Sequence, residues 1–230
     1  MRAGIPEDAR LEIKFTAYET EIPRLTQWLH LHKSGFGTPY PPRWINNVYF
    51  DSHEYFAYAE NLFGSSNRTK VRYRWYGDYT DLQTGELEVK CKRNCFSWKQ
   101  HFPITLDPSL AGASWREIRR CIMDQLPADG ALWMDTHPQP VITNRYHRQY
   151  FVSADGRVRA TIDSRQATYD QRYKPYPNTT RSGRPPGTTV LEFKFDRSDR
   201  SLASGIIQGL PLRVGRHSKY MMGVHAIHGY

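Results

Sequence analysis

Five stretches of this chain alternate apolar and charged residues with a strict period of two, and this pattern constrains the fold most. A β-strand points successive side chains to opposite faces, so each stretch would carry one apolar face and one ionic face. The charged positions hold Lys, Arg, Glu and Asp, and the five stretches are 11–15, 71–75, 87–91, 157–163 and 191–195. Five such strands in one chain predict a sheet whose ionic face is itself a binding surface.

The length and composition indicate one globular domain. A chain of 230 residues fits an all-β barrel without dividing, and 39% hydrophobic residues are enough for a core. No linker divides the sequence, so we predict one domain over residues 1–230, with its core at about 10–227. Residues 173–187 are rich in Pro, Gly, Ser and Thr, and we expect them to form a mobile loop.

Charge and cysteine content narrow the range of partners and compartments. The formal net charge of +9 favours a polyanionic partner, such as nucleic acid, a phosphate polymer or an anionic membrane. The three cysteines include no CxxC pair, which argues against a disulfide framework or structural zinc and favours a reducing compartment. No stretch approaches the roughly 20 apolar residues of a membrane span, and residues 1–10 carry no apolar signal region, so we expect a cytoplasmic protein.

The remaining pattern predicts helices between and after the strands. Apolar spacing and capping residues predict helices at 19–33, 51–62, 114–125, 201–209 and 218–227. Further strands are predicted at 44–50, at 141–152, at 188–196 and as three successive strands between 70 and 102.

Two arrangements satisfy the alternation: a sheet with one face in water, or a closed barrel whose ionic face lines a channel. The charged faces are dense and almost free of neutral polar residues, as in Arg72-x-Arg74 and Glu86-x-Glu88-x-Lys90. Arg and Lys suit phosphate oxygens, whereas glutamates among them would repel phosphate unless a divalent cation lies between. The mixture therefore favours a channel with a metal–phosphate site.

The ordered set of motifs resembles the VTC domain, the catalytic domain of the vacuolar transporter chaperone polyphosphate polymerase. The resemblance covers about residues 10–227, and its motifs lie at 12–14, 47–51, 70–77, 86–90, 146–148, 157–163, 191–194 and 218–220. This domain belongs to the triphosphate tunnel metalloenzymes, together with CYTH-type triphosphatases and thiamine triphosphatases. The resemblance implies an α+β fold: a closed eight-stranded antiparallel β-barrel tunnel with helices packed outside.

The resemblance also implies roles for individual residues. The implied phosphate-binding residues are Lys14, Arg72, Arg74, Lys90, Lys99, Arg148, Arg159, Lys194, Ser218 and Lys219. Four of these, Arg72, Arg74, Lys90 and Lys219, are the implied catalytic residues. Glu192 is the implied ligand of Mn²⁺ or Mg²⁺, with Glu12 and Glu88 as further candidate metal ligands.

The implied activity is that of a polyphosphate polymerase, which moves the γ-phosphate of ATP onto a growing inorganic polyphosphate chain. A CYTH-type inorganic or nucleoside triphosphatase is the alternative, with water as the acceptor. The sequence carries no membrane segment that would accompany such a polymerase, which leaves room for a separate membrane-protein partner.

Two non-catalytic readings remain from the residues alone. A β-barrel that binds polyphosphate without extending it would need the same basic face. A nucleic-acid-binding barrel would use the aromatic residues that alternate with arginines at 72–76, but the glutamates on the basic faces make nucleic acid an unlikely partner.

Overall fold

The computed structural model describes residues 6–7, 9–110, 112–180, 182–183 and 187–228. Within these residues, strands and α-helices alternate as far as β3, and groups of consecutive strands and of paired helices follow. The strands are β1 Arg10–Tyr18, β2 Arg43–Asp51, β3 Asn67–Tyr76, β4 Thr84–Arg93, β5 Phe96–Thr105, β6 Gln139–Val152, β7 Val158–Asp170, β8 Ser182–Gly183 and β9 Thr188–Phe195. The helices are α1 Ile22–Leu31, α2 Phe56–Leu62, α3 Trp115–Met123, α4 Ala128–Thr136, α5 Arg200–Ile207 and α6 Lys219–His228.

Eight strands close into a barrel in the order β6-β2-β3-β4-β5-β1-β9-β7, and β7 pairs with β6 to complete the circle. Every pairing is antiparallel. The two-residue strand β8 adds to one end of β7 and takes no part in closure. The predicted α+β fold, a closed eight-stranded antiparallel barrel with helices outside it, is confirmed.

The apolar faces of the strands point outward and are covered by helices. On β3, Val71, Tyr73 and Trp75 pack with α3 and α4 in one buried cluster. On β9, Leu191 and Phe193 pack with α1 and α5 in another. The intervening charged residues must therefore point into the barrel, because neighbours along a strand face opposite ways.

The C-terminal helix α6 packs against one end of the barrel. Tyr220 stacks on Tyr49 with ring centroids 5.2 Å apart, and its hydroxyl donates to Asp51 Oδ2 at 2.6 Å. A Cβ at Gly223 would lie only 2.4 Å from Ile142 Cδ1, so glycine is what allows the helix to approach β6 this closely. The helix thereby fixes its first residue, Lys219, and the two residues that precede it beside the barrel interior.

Most predicted elements are confirmed, with shifts of a few residues at their ends. The Ser114 hydroxyl accepts from the Glu117 amide and the Glu117 carboxylate accepts from the Ser114 amide, the capping box predicted for α3. Helix α4, which has no clear apolar stripe, was not predicted, and the predicted end of β7 at 163 is seven residues before the observed end at 170. The segment predicted as a loop contains β8, and its residues 181 and 184–186 lie outside the described residues.

No helix among the described residues combines the length and the apolar character needed to cross a lipid bilayer.

The close approach at Gly223 yields a stability test. We expect Gly223→Ala to lower the free energy of unfolding by about 0.5–2 kcal/mol, because overpacking by the added methyl between α6 and the barrel outweighs the higher helix propensity of alanine. Gly205→Ala in α5 is the matched control, since its Cβ would meet nothing within 4 Å. That control should raise stability by about 0.5–1 kcal/mol, because alanine favours a helix. Equal effects in urea unfolding would contradict the close packing of α6.

Candidate functional site

A cationic cavity of about 90 Å³ lies inside the barrel, lined by seven of its eight strands and by residues 217–220. Its basic lining residues are Lys14, Lys70, Arg72, Arg74, Lys90, Lys99, Arg148, Lys194 and Lys219. Four carboxylates pair with these groups: Glu12, Glu88, Asp163 and Glu192. Nine basic side chains against four carboxylates leave a formal excess of five positive charges in this part of the structure, counted with every lysine protonated, which suits a polyanion.

Glu88 holds the first group of cations. This residue is 1% exposed, and the register places Arg72 directly opposite it on the neighbouring strand. Arg72 Nε donates to Glu88 Oε2 at 2.7 Å, while Arg74 Nη1 and Lys99 Nζ each approach Oε1 at 3.0 Å. Burial alone would raise the pKa of the Glu88 carboxyl, but Arg72 and Arg74 hold that pKa well below its usual range. Glu88 is thus an ionised anchor for three cations.

The remaining donor groups of the two arginines are also held. Arg72 Nη1 donates to the Tyr49 hydroxyl at 3.0 Å, and Arg74 Nε donates to Asn47 Oδ1 at 2.8 Å. Arg74 Nη2 approaches the Tyr146 hydroxyl at 3.3 Å. These contacts fix the guanidinium planes before any ligand arrives, which lowers the cost of ordering them on binding.

Asp163 holds the second group and is fully buried. Arg148 binds it in a bidentate pair, with Nε at 2.6 Å and Nη2 at 2.7 Å, and Lys219 Nζ lies 2.6 Å from Oδ2. Burial opposes ionisation of this carboxyl, but Arg148 and Lys219 keep its pKa below the usual value. Asp163 therefore connects β6, β7 and the start of α6 through charge-assisted hydrogen bonds.

Glu12 and Glu192 form the third group around Lys14. Lys14 Nζ lies 2.6 Å from Glu12 Oε1 and 3.2 Å from Glu192 Oε2. The other carboxylate oxygens accept from Lys90 at 2.9 Å and from Lys194 at 2.7 Å. Carboxylate oxygens are the hard ligands that Mn²⁺ and Mg²⁺ prefer, and such an ion would have to replace the Lys14 ammonium between Glu12 and Glu192.

The three predicted metal ligands are not brought together, because Glu88 belongs to the arginine group and not to the group around Lys14. The search of the described residues for three adjacent metal-binding side chains finds one set, Glu86, Glu88 and His101, with candidate atoms within 4.8 Å of one another. His101 is exposed, and none of these three residues lines the cavity, whereas Glu192 does and shares Lys14 with Glu12. Glu192, with Glu12 beside it, therefore remains the better candidate.

The structure places the predicted phosphate-binding residues in the cavity with one exception. Those that line it are Lys14, Arg72, Arg74, Lys90, Lys99, Arg148, Lys194, Ser218 and Lys219, together with the predicted metal ligand Glu192. Arg159 lies opposite Lys194 in the sheet register but is exposed and does not line the cavity. Glu12 and Glu88 lie behind the lysines and arginines that they bind.

Lys70 lines the cavity and shares its strand face with Arg72 and Arg74, but it was not among the predicted site residues. Lys70 Nζ donates to the Ser218 hydroxyl at 2.7 Å, and the register places Lys90 directly opposite. Among the described ion pairs, none joins Lys70 to a carboxylate. Burial, followed by repulsion from Lys14 and Lys90, holds the pKa of the Lys70 ammonium well below its usual range. Its period-two position was the signal that could have identified it.

Tyr146 and His217 also line the cavity and were not predicted as site residues. Burial raises the pKa of the Tyr146 phenol, but Arg148 and Arg74 outweigh that effect and lower it to about 8. Burial, Lys219 and Lys14 lower the pKa of the His217 imidazole to about 3. Both shifts report the same positive potential inside the barrel.

Comparison with known proteins identifies one matching family. The sequence model of the VTC domain matches residues 10–228. A search of curated proteins found no match.

The solved structures that this chain is similar to share little of its sequence. A candidate adenylate cyclase from Vibrio parahaemolyticus is 8% identical, with 94% of this chain and 98% of that chain covered and a TM-score of 0.53. A candidate adenylyl cyclase from Hippeastrum, described as having a dominant triphosphatase activity, is 14% identical over 96% of both chains, with a TM-score of 0.49. A protein from Pyrococcus horikoshii is 10% identical over 93% of this chain and 97% of that chain, with a TM-score of 0.48.

The position of Lys70 leads to a pH-dependent stability prediction. A lysine with a lowered pKa in the folded state binds its proton more tightly when unfolded, so stability should rise as the pH rises towards about 10.4. We expect Lys70→Met to raise the free energy of unfolding at about pH 7 by about 1–2 kcal/mol, with a smaller gain at about pH 10. Urea unfolding at both pH values measures this effect.

Lys33→Met is the matched control, because Lys33 is exposed on the surface. It should leave stability unchanged at both pH values. A loss of stability at neutral pH in Lys70→Met alone would show that Lys70 is well accommodated in the absence of a ligand.

Proposed function

This chain belongs to the VTC domain family, whose model matches residues 10–228, and on that premise we propose that it is a polyphosphate polymerase. The proposed reaction transfers the γ-phosphate of ATP to a growing inorganic polyphosphate chain inside the barrel. The observation that carries the proposal is the excess of five positive charges in a cavity enclosed by strands. Keeping so many cations together without an anion is costly, which argues for a highly charged anionic ligand.

The chemistry needs no protein nucleophile. An oxygen of the terminal phosphate of the chain bonds to the γ-phosphorus, the bond from that phosphorus to the β,γ-bridging oxygen breaks, and ADP leaves. Catalysis of phosphoryl transfer rests mainly on positioning the two phosphates in line and on neutralising charge on the transferred group. Fixed cations can do both.

The arginines are suited to the transferred phosphoryl group. Arg72, Arg74 and Arg148 have planar donor groups that match phosphate oxygens, and buried carboxylates already hold them in place. Lys90 and Lys219 would add point charges at the same cavity. Because these groups are ordered before the reaction, little reorganisation is needed when charge shifts from the γ-phosphate to ADP.

Glu192 and Glu12 would hold the divalent ion, and the ion would supply further neutralisation of phosphate oxygens when bound. Lys14 binds both carboxylates, so it would also limit the repulsion between them and a phosphate chain.

The structure weakens the nucleic-acid alternative. Tyr73 and Trp75, the aromatic residues that alternate with the arginines, are 0% and 1% exposed and pack beneath the outer helices. They are therefore part of the core and cannot stack on bases.

The deciding assay uses purified protein with ATP and Mn²⁺, followed both for chain growth and for free phosphate. Long chains would support the polymerase, and orthophosphate alone would support the triphosphatase. Absence of both products, together with no binding of inorganic tripolyphosphate, would refute the proposed function.

Removal of one buried arginine tests the phosphate site. We expect Arg74→Ala to reduce the rate of ATP turnover by about 100-fold, the usual cost of losing a fixed donor to a transition state. The fold should survive, because Glu88 keeps Arg72 and Lys99 as partners. Arg24→Ala on the surface of α1 is the control and should retain full activity, since Arg24 is 55% exposed. Equal turnover in the two variants would exclude Arg74 from the site.

Neutralising Glu192 tests the metal site. Glu192→Gln keeps the shape but removes the charge, so we expect the Mn²⁺ concentration for half-maximal activity to rise by about tenfold or more. Glu21→Gln, in the turn before α1, serves as the control. An unchanged Mn²⁺ dependence in Glu192→Gln would assign the metal to other residues.

A further inference from the structure

A cluster of aromatic rings around an arginine lies at the end of the barrel opposite α6. We call it the mouth cluster, and it consists of Tyr40, Arg43, Tyr76 and Tyr150. The Arg43 guanidinium carbon lies 4.1 Å from the Tyr76 ring centroid and 5.2 Å from that of Tyr150, and Arg43 Nε donates to the Tyr150 hydroxyl at 2.9 Å. Tyr40 meets Tyr150 edge to face at 5.8 Å.

The order of residues along β3 fixes where this cluster lies. Lys70 binds Ser218 at the end covered by α6, and Arg72 and Arg74 follow on the same face. Tyr76 is the next residue of that face and the last of the strand, so it lies at the opposite end. The mouth cluster thus continues the charged face outward.

The register also connects Arg43 and Tyr150 of the mouth cluster to a residue that lines the cavity. Arg43 on β2 is paired in register with Arg148, which lines the cavity, and Tyr150 follows Arg148 by two residues on the same face. Two residues along a strand span roughly 7 Å, so the aromatic rings lie beyond the cationic groups by about the length of the ribose of a nucleotide. The aromatic groups therefore continue the charged strand faces beyond the residues that line the cavity.

Two rings of the mouth cluster are exposed to solvent, whereas the other aromatic rings of β3 are buried. Tyr40 is 61% exposed and Tyr76 is 37% exposed, whereas Tyr73 and Trp75 are buried in the core. Leaving large aromatic rings exposed to water is costly. The rings suit the base of a nucleotide, and the cationic cavity suits its phosphates.

We propose that the mouth cluster is a stacking platform for the nucleobase of a nucleoside triphosphate whose phosphates lie in the cationic cavity. This inference rests on the proposed function. It assigns a binding site to the nucleobase of the phosphate donor, which the cationic cavity itself does not bind. Tyr rings and an arginine plane stack on any base, since every base has a π face. The platform should therefore favour nucleoside triphosphates over inorganic tripolyphosphate, with a larger gain for purines than for pyrimidines.

The test compares two probes on one protein by isothermal titration calorimetry: the β,γ-imido analogue of ATP and inorganic tripolyphosphate. We expect Tyr76→Ala to weaken binding of the ATP analogue by about tenfold, in line with the loss of one stacked base, and to change tripolyphosphate binding by less than about twofold. Tyr76→Phe keeps the ring and should bind both probes as the unaltered protein does.

Tyr18→Ala is the matched control, because Tyr18 is 71% exposed and ends β1 at the other end of the barrel. It should leave both affinities unchanged. Tyr76→Leu keeps apolar packing without a π face, and it replaces Tyr76→Ala if the alanine variant fails to fold.

The outcomes separate this inference from the proposed function. Normal binding of both probes by Tyr76→Ala and Tyr76→Leu would overturn the platform and leave the phosphate site standing. An equal loss for both probes would also overturn it, because Tyr76 would then act on the phosphates or the fold. Failure of the unaltered protein to bind tripolyphosphate would refute the proposed function and this inference together.

Discussion

The structure depends on four carboxylates, three of them buried and one half-buried, that hold eight of the nine cations inside a closed barrel. Without Glu88, Asp163, Glu12 and Glu192, the arginines and lysines of the lining would repel one another in a poorly solvated space. Each carboxylate is shared by at least two cations, so the positive charge is only partly compensated. The remaining excess is what a phosphate chain can neutralise, and the same pairs fix the donors that would receive it.

This arrangement lowers the stability of the folded protein and would strengthen the binding of an anion. Lys70 is the clearest case, because it faces Lys90 and is held by a serine hydroxyl rather than by a carboxylate. Such a group opposes folding in the absence of a ligand and strengthens binding when an anion arrives. The stability needed to tolerate it comes from elsewhere: apolar strand faces beneath the outer helices, and α6 packed tightly at Gly223.

Much of the site could be predicted because a strand repeats every two residues. Arg72, Arg74 and Lys90 were identified by that period together with the family motifs, and all three line the cavity. Arg159 follows the same period yet lies exposed, since the pattern gives the face of a strand but not the distance along the barrel. Helix α4 was missed because its residues show no clear apolar stripe.

The sequence by itself determined which side chains share a face, because alternation is a local property of the extended chain. It also determined the charges of that face and, through the motifs, the family. Only the tertiary structure decided that the charged face is enclosed, since this requires β7 to pair with β6, and which residues meet there. Register across strands places Arg72 opposite Glu88 and Arg148 opposite Asp163, and it brings Tyr76, Arg43 and Tyr150 to one mouth. These contacts join residues far apart along the chain, and no local pattern specifies them.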